Sequence, residues 1–316
     1  KRKTVLLSLV VTALALVLPL CAYNYPVLLV SFCLLGIGNT LMQVSLNPLI
    51  TCVVSGERLA STLTFGQFVK AIASFIAPII ASWASVKFGN WLLLYPVFLV
   101  FAIIAAVYLG MTKIEEEIPK DKSSNFIDCL KLLGDTSVLL FFLGIVAHVG
   151  IDVGVNTCAP KIIMERLSLP LEKAGIATSI YFLFRTLGCF TGSFILAKFS
   201  QKGFFAVSVA CMVLSMAGLF FCHSLAGLYV AIALVGYGNS NIFSMVFSNA
   251  LLYMPEKNNE MSGLMIMGLI GGTIFPLLMG ILSDAMGTQI GSVIVVSVGV
   301  LYLAYLYFKS FRKPKA

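Results

Sequence analysis

Four groups of polar residues, set in otherwise apolar surroundings, are the candidate chemistry of this 316-residue chain. Asn39, Gln43 and Asn47 are spaced four apart, and so are His148, Asp152 and Asn156. Each set therefore occupies one face of a helix. Gln67, Lys70 and Ser74 form a third stripe, and Asn239 with Phe243 a fourth, flanked by Asn241 and Asn249. Amides donate and accept at once, which suits a ligand rich in hydroxyls. Phe243, Tyr237 and Tyr181 offer faces on which the apolar side of a sugar ring can stack. The plainer reading is that such amides bond helix to helix, worth only ~0.6 kcal/mol each.

Asp152 is the sole carboxylate deep in an apolar segment, and Lys70 and Arg185 are the sole deep cations. A buried charge without a partner neutralises itself by shifting its pKa. Asp152 is therefore expected to pair with Lys70 or Arg185, with His148 on its own face. Protonation of that carboxylate is one route to proton coupling; a static ion pair is the other reading. No phosphate loop, metal-ligand spacing or nucleophile triad occurs, so neither cofactor nor metal is expected. The eight cysteines form no C-x-x-C pair and read as small apolar packing residues.

The elements that position these groups follow from composition. The chain is 59% hydrophobic and 11% charged, with mean hydropathy +1.01. Soluble domains carry about a quarter charged residues, so the solvent here is a lipid bilayer. The net charge of +8 collects at segment ends rather than in a patch, which argues against nucleic acid as partner. Ten stretches reach the ~20 residues a crossing needs: 5–22, 27–53, 60–86, 91–112, 137–162, 172–197, 204–222, 225–253, 261–284 and 288–309. The segment 113–136, with Glu115-Glu116-Glu117 and Lys120-Asp121-Lys122, reads as a linker on the water side. With the start of the chain on the cytoplasmic face, most cations fall on that face. Only Lys87, Lys161, Arg166 and Lys173 fall opposite, which meets the positive-inside rule and puts both ends of the chain in the cytoplasm.

The chain also repeats. Gly36-Ile37-Gly38-Asn39 returns as Gly236-Tyr237-Gly238-Asn239, Asn47 has a counterpart in Asn249, and Gly89 in Gly287. Duplicated apolar units of this size mark transporters built from two repeated halves. The motif lies in the second crossing and again in the eighth, so the repeating unit is six helices. Six follow the linker and four precede it. The expected architecture is all-α and polytopic, with ten of twelve helices present. An incomplete first half spans 1–112, the linker 113–136 and a six-helix half 137–316. The absence of an initiator Met and the opening Lys1-Arg2-Lys3-Thr4 suggest an internal start.

Two six-helix halves joined by a cytoplasmic loop resemble the major facilitator superfamily. The segments Gly36 to Asn39 through Asn47-Pro48, and Asn241-Ile242-Phe243 through Glu260-Met261-Ser262-Gly263 to Gly271-Gly272-Thr273-Ile274-Phe275-Pro276, are similar to its fucose/glucose/galactose proton symporter branch. The resemblance implies a bacterial inner-membrane, monomeric importer of a monosaccharide, coupled to a proton or another cation, with substrate bound midway between rocking halves. In that superfamily the helices carrying the polar stripes line the central cavity, so the stripes make Asn39, Gln43, Asn47, Gln67, Asn156, Asn239, Asn241 and Phe243 the candidate sugar contacts, while the deep charges make Asp152, Lys70, Arg185 and His148 the candidate coupling group. One departure stands out: Gln43 occupies a position that is a carboxylate in the fucose-type relatives, and an amide cannot titrate. Lys70 also departs from their pattern. A drug or metabolite exporter of the same fold is the runner-up, disfavoured by the amide stripes. A non-functional truncated chain is the third reading.

Overall fold

The computed structural model describes residues 2–51, 54, 58–112, 126–170 and 174–311. Lys1, Lys173, the first part of the linker (113–125) and the terminal cations beyond residue 311 lie outside the described residues. The described residues form helices joined by short turns, in the order α1 (Arg2–Cys21), α2 (Tyr25–Ile50), α3 (Arg58–Phe88), α4 (Leu94–Met111), α5 (Phe126–Lys131), α6 (Thr136–Leu167) and α7 (Ile176–Lys198). They continue as α8 (Gln201–Phe221), α9 (Leu225–Asn239), α10 (Ile242–Tyr253), α11 (Asn258–Met267), α12 (Gly271–Met286) and α13 (Ile290–Leu306). Among the described residues nine segments are long and apolar enough to cross a membrane. The expected crossing at 60–86 falls on α3, a single helix of 31 residues that is not among the nine. At 1.5 Å per residue it runs about 46 Å, ample for a hydrocarbon core of ~30 Å.

The chain resolves into two compact units. One comprises Lys1–Ser55 and Ile72–Ser123, the other Gly56–Ala71 and Ser124–Ala316. The division passes through α3, so its first half, with Gln67 and Lys70, is grouped with the second unit.

Within the first unit α1 packs along α2 and α4. Asn24 caps α2 by accepting from Val27 N–H at 3.0 Å. Ser31 Oγ donates to the Ala15 carbonyl at 2.7 Å, tying α2 to α1. A β-carbon at Gly38 would stand 2.5 Å from Thr12 Oγ1 and 3.2 Å from the Ser8 carbonyl oxygen. Only glycine lets the two backbones come this close.

The second unit repeats this joint about 200 residues later. A β-carbon at Gly238 would stand 2.7 Å from the Ser208 carbonyl oxygen, with Met212 beside it. Ser215 Oγ donates to the Ala231 carbonyl at 2.7 Å. The pairs 38/238, 8/208, 12/212, 15/215 and 31/231 share one offset, so α8–α9 is built on the plan of α1–α2. Gly89 and Gly287, matched in sequence, both adopt the left-handed backbone (φ +67 and +65°) that glycine tolerates best.

At the centre of the second unit α6 packs against α9, α10, α12 and α13. It begins on Asp135, whose carboxylate accepts from Ser137 and Val138 N–H at 2.7 and 3.1 Å. Its buried face includes Ile145, His148, Ile151, Val155 and Ile162.

The crossings expected at 225–253 and 261–284 stand as the apolar spans Leu225–Tyr253 and Pro255–Met286, with local detail the sequence did not carry. The segment 225–253 is two helices, not one, broken at Ser240 and Asn241. The Asn241 amide donates to the Gly188 carbonyl and to Ser240 Oγ, and such local side-chain bonds compete with the helical ladder. The segment 261–284 starts earlier, at Pro255, and tightens to a 3-10 turn at Gly268–Ile270. There Gly271 lies so close to α6 that a β-carbon would overlap the Val146 carbonyl oxygen. Finally, the end of the linker is ordered: α5 is closed by Lys131 on Asp128 at 3.0 Å and followed by a 3-10 turn with Leu132 buried.

Candidate functional site: a charged cluster on the central helix

The heart of the second unit is polar where α6, α7 and α9 meet. Asp152 and Arg185 are both mid-helix, with side chains 16% and 21% exposed, and Arg185 Nη1 lies 3.0 Å from Asp152 Oδ2. The hydroxyl of Tyr181 donates to the other carboxylate oxygen, Oδ1. Tyr181 and Arg185 are one turn apart on α7, so a single helical face delivers both partners. Both carboxylate oxygens are thus engaged, one by a cation and one by a neutral donor.

Lys70, from the first half of α3, lies within electrostatic reach of Arg185 and Asp152. The residue as a whole is exposed, although its ammonium is largely surrounded by protein atoms. The same stretch of α3 is held to α7 by Ser61 Oγ, which donates to the Ser193 carbonyl at 2.6 Å, and by the Phe68 ring, 5.1 Å from Phe190. Gln67 is half-buried on this stretch.

One turn before Asp152, His148 is buried and reciprocally bonded to Asn239. The amide Nδ2 of Asn239 donates to the His148 carbonyl at 3.1 Å, which turns its Oδ1 to the ring, 2.9 Å from Nδ1. Oδ1 can only accept, so Nδ1 carries a proton whether or not Nε2 does. Phe243 is 5% exposed, packed with its centroid 6.0 Å from His148 and 5.2 Å from Phe247. One turn after Asp152, Asn156 Nδ2 donates to the Asp152 carbonyl at 2.9 Å. The Oδ1 of Asn156 is buried and has no partner among the described residues.

The remaining amides divide. Asn241 is fully buried beside Gly192, whose hydrogen leaves it room, and its Oδ1 also lacks a partner among the described residues. Asn249 donates to Gln201 Oε1 at 2.8 Å and to the Met245 carbonyl at 2.7 Å, which makes it a bond between helices. In the first unit Asn39 is exposed and accepts from Gln43 Nε2 at 3.2 Å, whereas Asn47 is buried. An open groove of about 460 Å³ runs beside Asn39, lined by Thr12, Leu35, Gly36, Gly38 and Met42. Asp152, Tyr181 and Arg185 therefore gather in one place with Lys70 in electrostatic reach, flanked along α6 by His148 and Asn156, and His148 is bonded in turn to Asn239 of α9. The Asn39 stripe belongs to the other unit.

Tyr181 is the residue that sequence reasoning undervalued. It reads as an aromatic surface, but its hydroxyl is what holds Asp152. The four-residue spacing to Arg185 was the available signal. Among the described residues no group of His, Cys, Asp and Glu is arranged to hold a metal ion.

A sequence model described as the Major Facilitator Superfamily matches residues 1–268 and 140–316. The chain is 26% identical over 314 residues to a glucose/galactose transporter of Brucella abortus (strain 2308), covering 92% of this chain and 74% of that protein. It is 24% identical over 329 residues to a putative glucose/galactose transporter of Helicobacter pylori (strain J99 / ATCC 700824), covering 97% and 79%. Among solved structures, the Escherichia coli fucose:proton symporter FucP superposes with a TM-score of 0.83 at 18% identity, covering 99% of this chain and 84% of that one. The proton:xylose symporter XylE superposes with a TM-score of 0.73 at 14% identity, covering 98% and 80%.

Proposed function

Since the chain belongs to the major facilitator superfamily, we propose that this multi-pass membrane protein is a secondary active transporter that imports a monosaccharide of the glucose, galactose or fucose type by alternating access, together with protons. The names of its relatives support a sugar as cargo. The amides of Asn39, Gln43, Asn47, Gln67, Asn156, Asn239 and Asn241 are the proposed hydroxyl partners, with Phe243 behind them.

The observation that carries the coupling half of the reading is the Tyr181–Asp152–Arg185 arrangement. Gln43 is an amide and does not titrate, whereas Asp152 is a carboxylate in mid-membrane bonded to both Arg185 and Tyr181. When Asp152 takes up a proton it releases Arg185; when it loses the proton the pair re-forms. That alternation gives two states whose balance a substrate can shift. We place the protein in a bacterial inner membrane as a monomer, with both ends and the linker cytoplasmic. We place the repeated halves at 1–112 and 137–316.

The test is counterflow in proteoliposomes. A panel of labelled hexoses, pentoses and lipophilic cations is offered to vesicles preloaded with the same compound unlabelled. Saturable counterflow of a monosaccharide supports the reading. Counterflow of lipophilic cations with none of any sugar replaces it with the exporter reading.

A further inference from the structure

The two oxygens of the Asp152 carboxylate meet partners of different kinds. Oδ2 lies 3.0 Å from Nη1 of Arg185, and Oδ1 accepts from the Tyr181 hydroxyl. A guanidinium has donors and no acceptor, so Arg185 and a proton cannot share Oδ2. Arg185 can leave, because its long side chain carries five N–H donors that can turn to other acceptors. Tyr181 has no such freedom. It is fully buried. Helix α9 passes so close that a β-carbon at Gly236 would stand 2.7 Å from the Tyr181 carbonyl oxygen and 3.4 Å from its ring.

Resting on the proton-coupling reading above, we infer that the proton enters at Oδ2 in exchange for Arg185, and that Tyr181 is a positioning residue that holds Asp152 by Oδ1 in both protonation states. A proton from the water phase forms the Oδ2–H bond, the Nη1–H contact breaks, and the guanidinium keeps its charge. In the neutral carboxyl Oδ1 is the carbonyl oxygen and still accepts from Tyr181. A proton on Oδ1 would instead meet the Tyr181 O–H, which would have to turn its hydrogen away inside a packed site, and a buried donor left unpaired is costly. The carboxyl therefore stays in place while its charged partner moves, so proton uptake is converted into motion of Arg185 on α7. Asp152 is also one turn from His148 on α6 and within electrostatic reach of Lys70 of α3. Either affects the pH at which it titrates, but not which oxygen meets Tyr181 and which meets Arg185. Of the other helices against α6, α9, α10 and α13 carry no acidic or basic side chain, and those of α11 and α12, Glu260 and Asp284, lie in terminal turns.

The test is infrared difference spectroscopy of the purified protein in lipid, between acid and alkaline medium. The C=O stretch of a protonated carboxyl falls in frequency when its carbonyl oxygen accepts a hydrogen bond. The carboxyl band that is lost in Asp152→Asn belongs to Asp152. In Tyr181→Phe, which keeps the ring and removes only the hydroxyl, that band should move to higher wavenumber. In Arg185→Met, whose side chain cannot donate, it should stay where it is, because Arg185 has already left the neutral carboxyl. Size-exclusion chromatography shows whether each variant is folded, and the Tyr181→Phe band alone decides if Arg185→Met is not. A band that stays in Tyr181→Phe, or moves in Arg185→Met, overturns the inference and leaves proton coupling through Asp152 standing. A difference spectrum that Asp152→Asn leaves unchanged shows that Asp152 does not titrate, and overturns the inference together with the coupling reading.

Discussion

Replacing Asp152 by asparagine separates a working carboxylate from a static one. The side chain keeps its shape and can still accept from Tyr181, but Arg185 then faces a neutral amide. Removing one partner of a buried ion pair costs ~3–5 kcal/mol. With the two side chains 16% and 21% exposed, solvent recovers part of that, so the low end, about 3 kcal/mol, applies. For a domain of roughly 150–250 residues that is a fall of ~6–12 °C in melting temperature. The double variant Asp152→Asn/Arg185→Gln removes the orphaned cation and should regain most of the loss. The assay is a matched pair: thermal unfolding in detergent, and sugar transport in proteoliposomes measured as gradient-driven accumulation and as exchange without a gradient. If Asp152 carries the proton, Asp152→Asn loses accumulation and keeps exchange. The double variant then regains stability but not accumulation. Full accumulation in Asp152→Asn refutes the coupling role. Parallel loss of both activities, with both restored in the double variant, shows a structural pair and nothing more.

Further outcomes follow from the same geometry. Asn39→Ala or Gln43→Ala should weaken sugar uptake about 5- to 150-fold, as expected for ~1–3 kcal/mol per polar contact, while Asn259→Ala on an exposed position should leave it unchanged; equal uptake by all three removes the stripe from the binding site. Gly271→Ala should abolish folding, because its β-carbon has only the Val146 backbone to occupy, whereas Gly280→Ala, with nothing within 4 Å, should melt like the parent. Gly192→Ala should displace Asn241 and lower the melting temperature, since that amide then loses its bond to the Gly188 carbonyl. Burial, with Glu260 and Asp128 nearby, pushes the Cys129 thiol upward; because only the thiolate reacts, maleimide labelling there should rise at higher pH than for a free thiol, and Glu260→Gln should shift the rise back toward ordinary pH.

Much of the fold was legible because lipid leaves few options. Long apolar stretches became helices, and the twin G-x-G-N motifs led directly to the matched joints at Gly38 and Gly238. What stayed hidden was local. The break at Ser240 and Asn241 has no hydropathy signature, because it is made by one side chain reaching the Gly188 carbonyl on another helix. The helix at 126–131 was obscured by the polar composition of the linker around it. At the charged cluster, sequence alone left Asp152 with two candidate partners. Choosing between them needs the rotation of α7 about its axis, which places Arg185 and the Tyr181 hydroxyl on the same carboxylate. The amides were similarly ambiguous: Asn239 and Asn249 read alike, but one meets a histidine deep in the unit and the other a glutamine between helices.

Proton movement accompanying sugar movement is the most direct test of the account. Proteoliposomes of the purified protein are suspended in weakly buffered medium with no imposed gradient, sugar is added outside, and external pH is followed alongside labelled sugar uptake. The account predicts alkalinisation of the medium that saturates with sugar and is absent in Asp152→Asn. Sugar uptake with no accompanying change in pH, or alkalinisation that persists in Asp152→Asn, would contradict it.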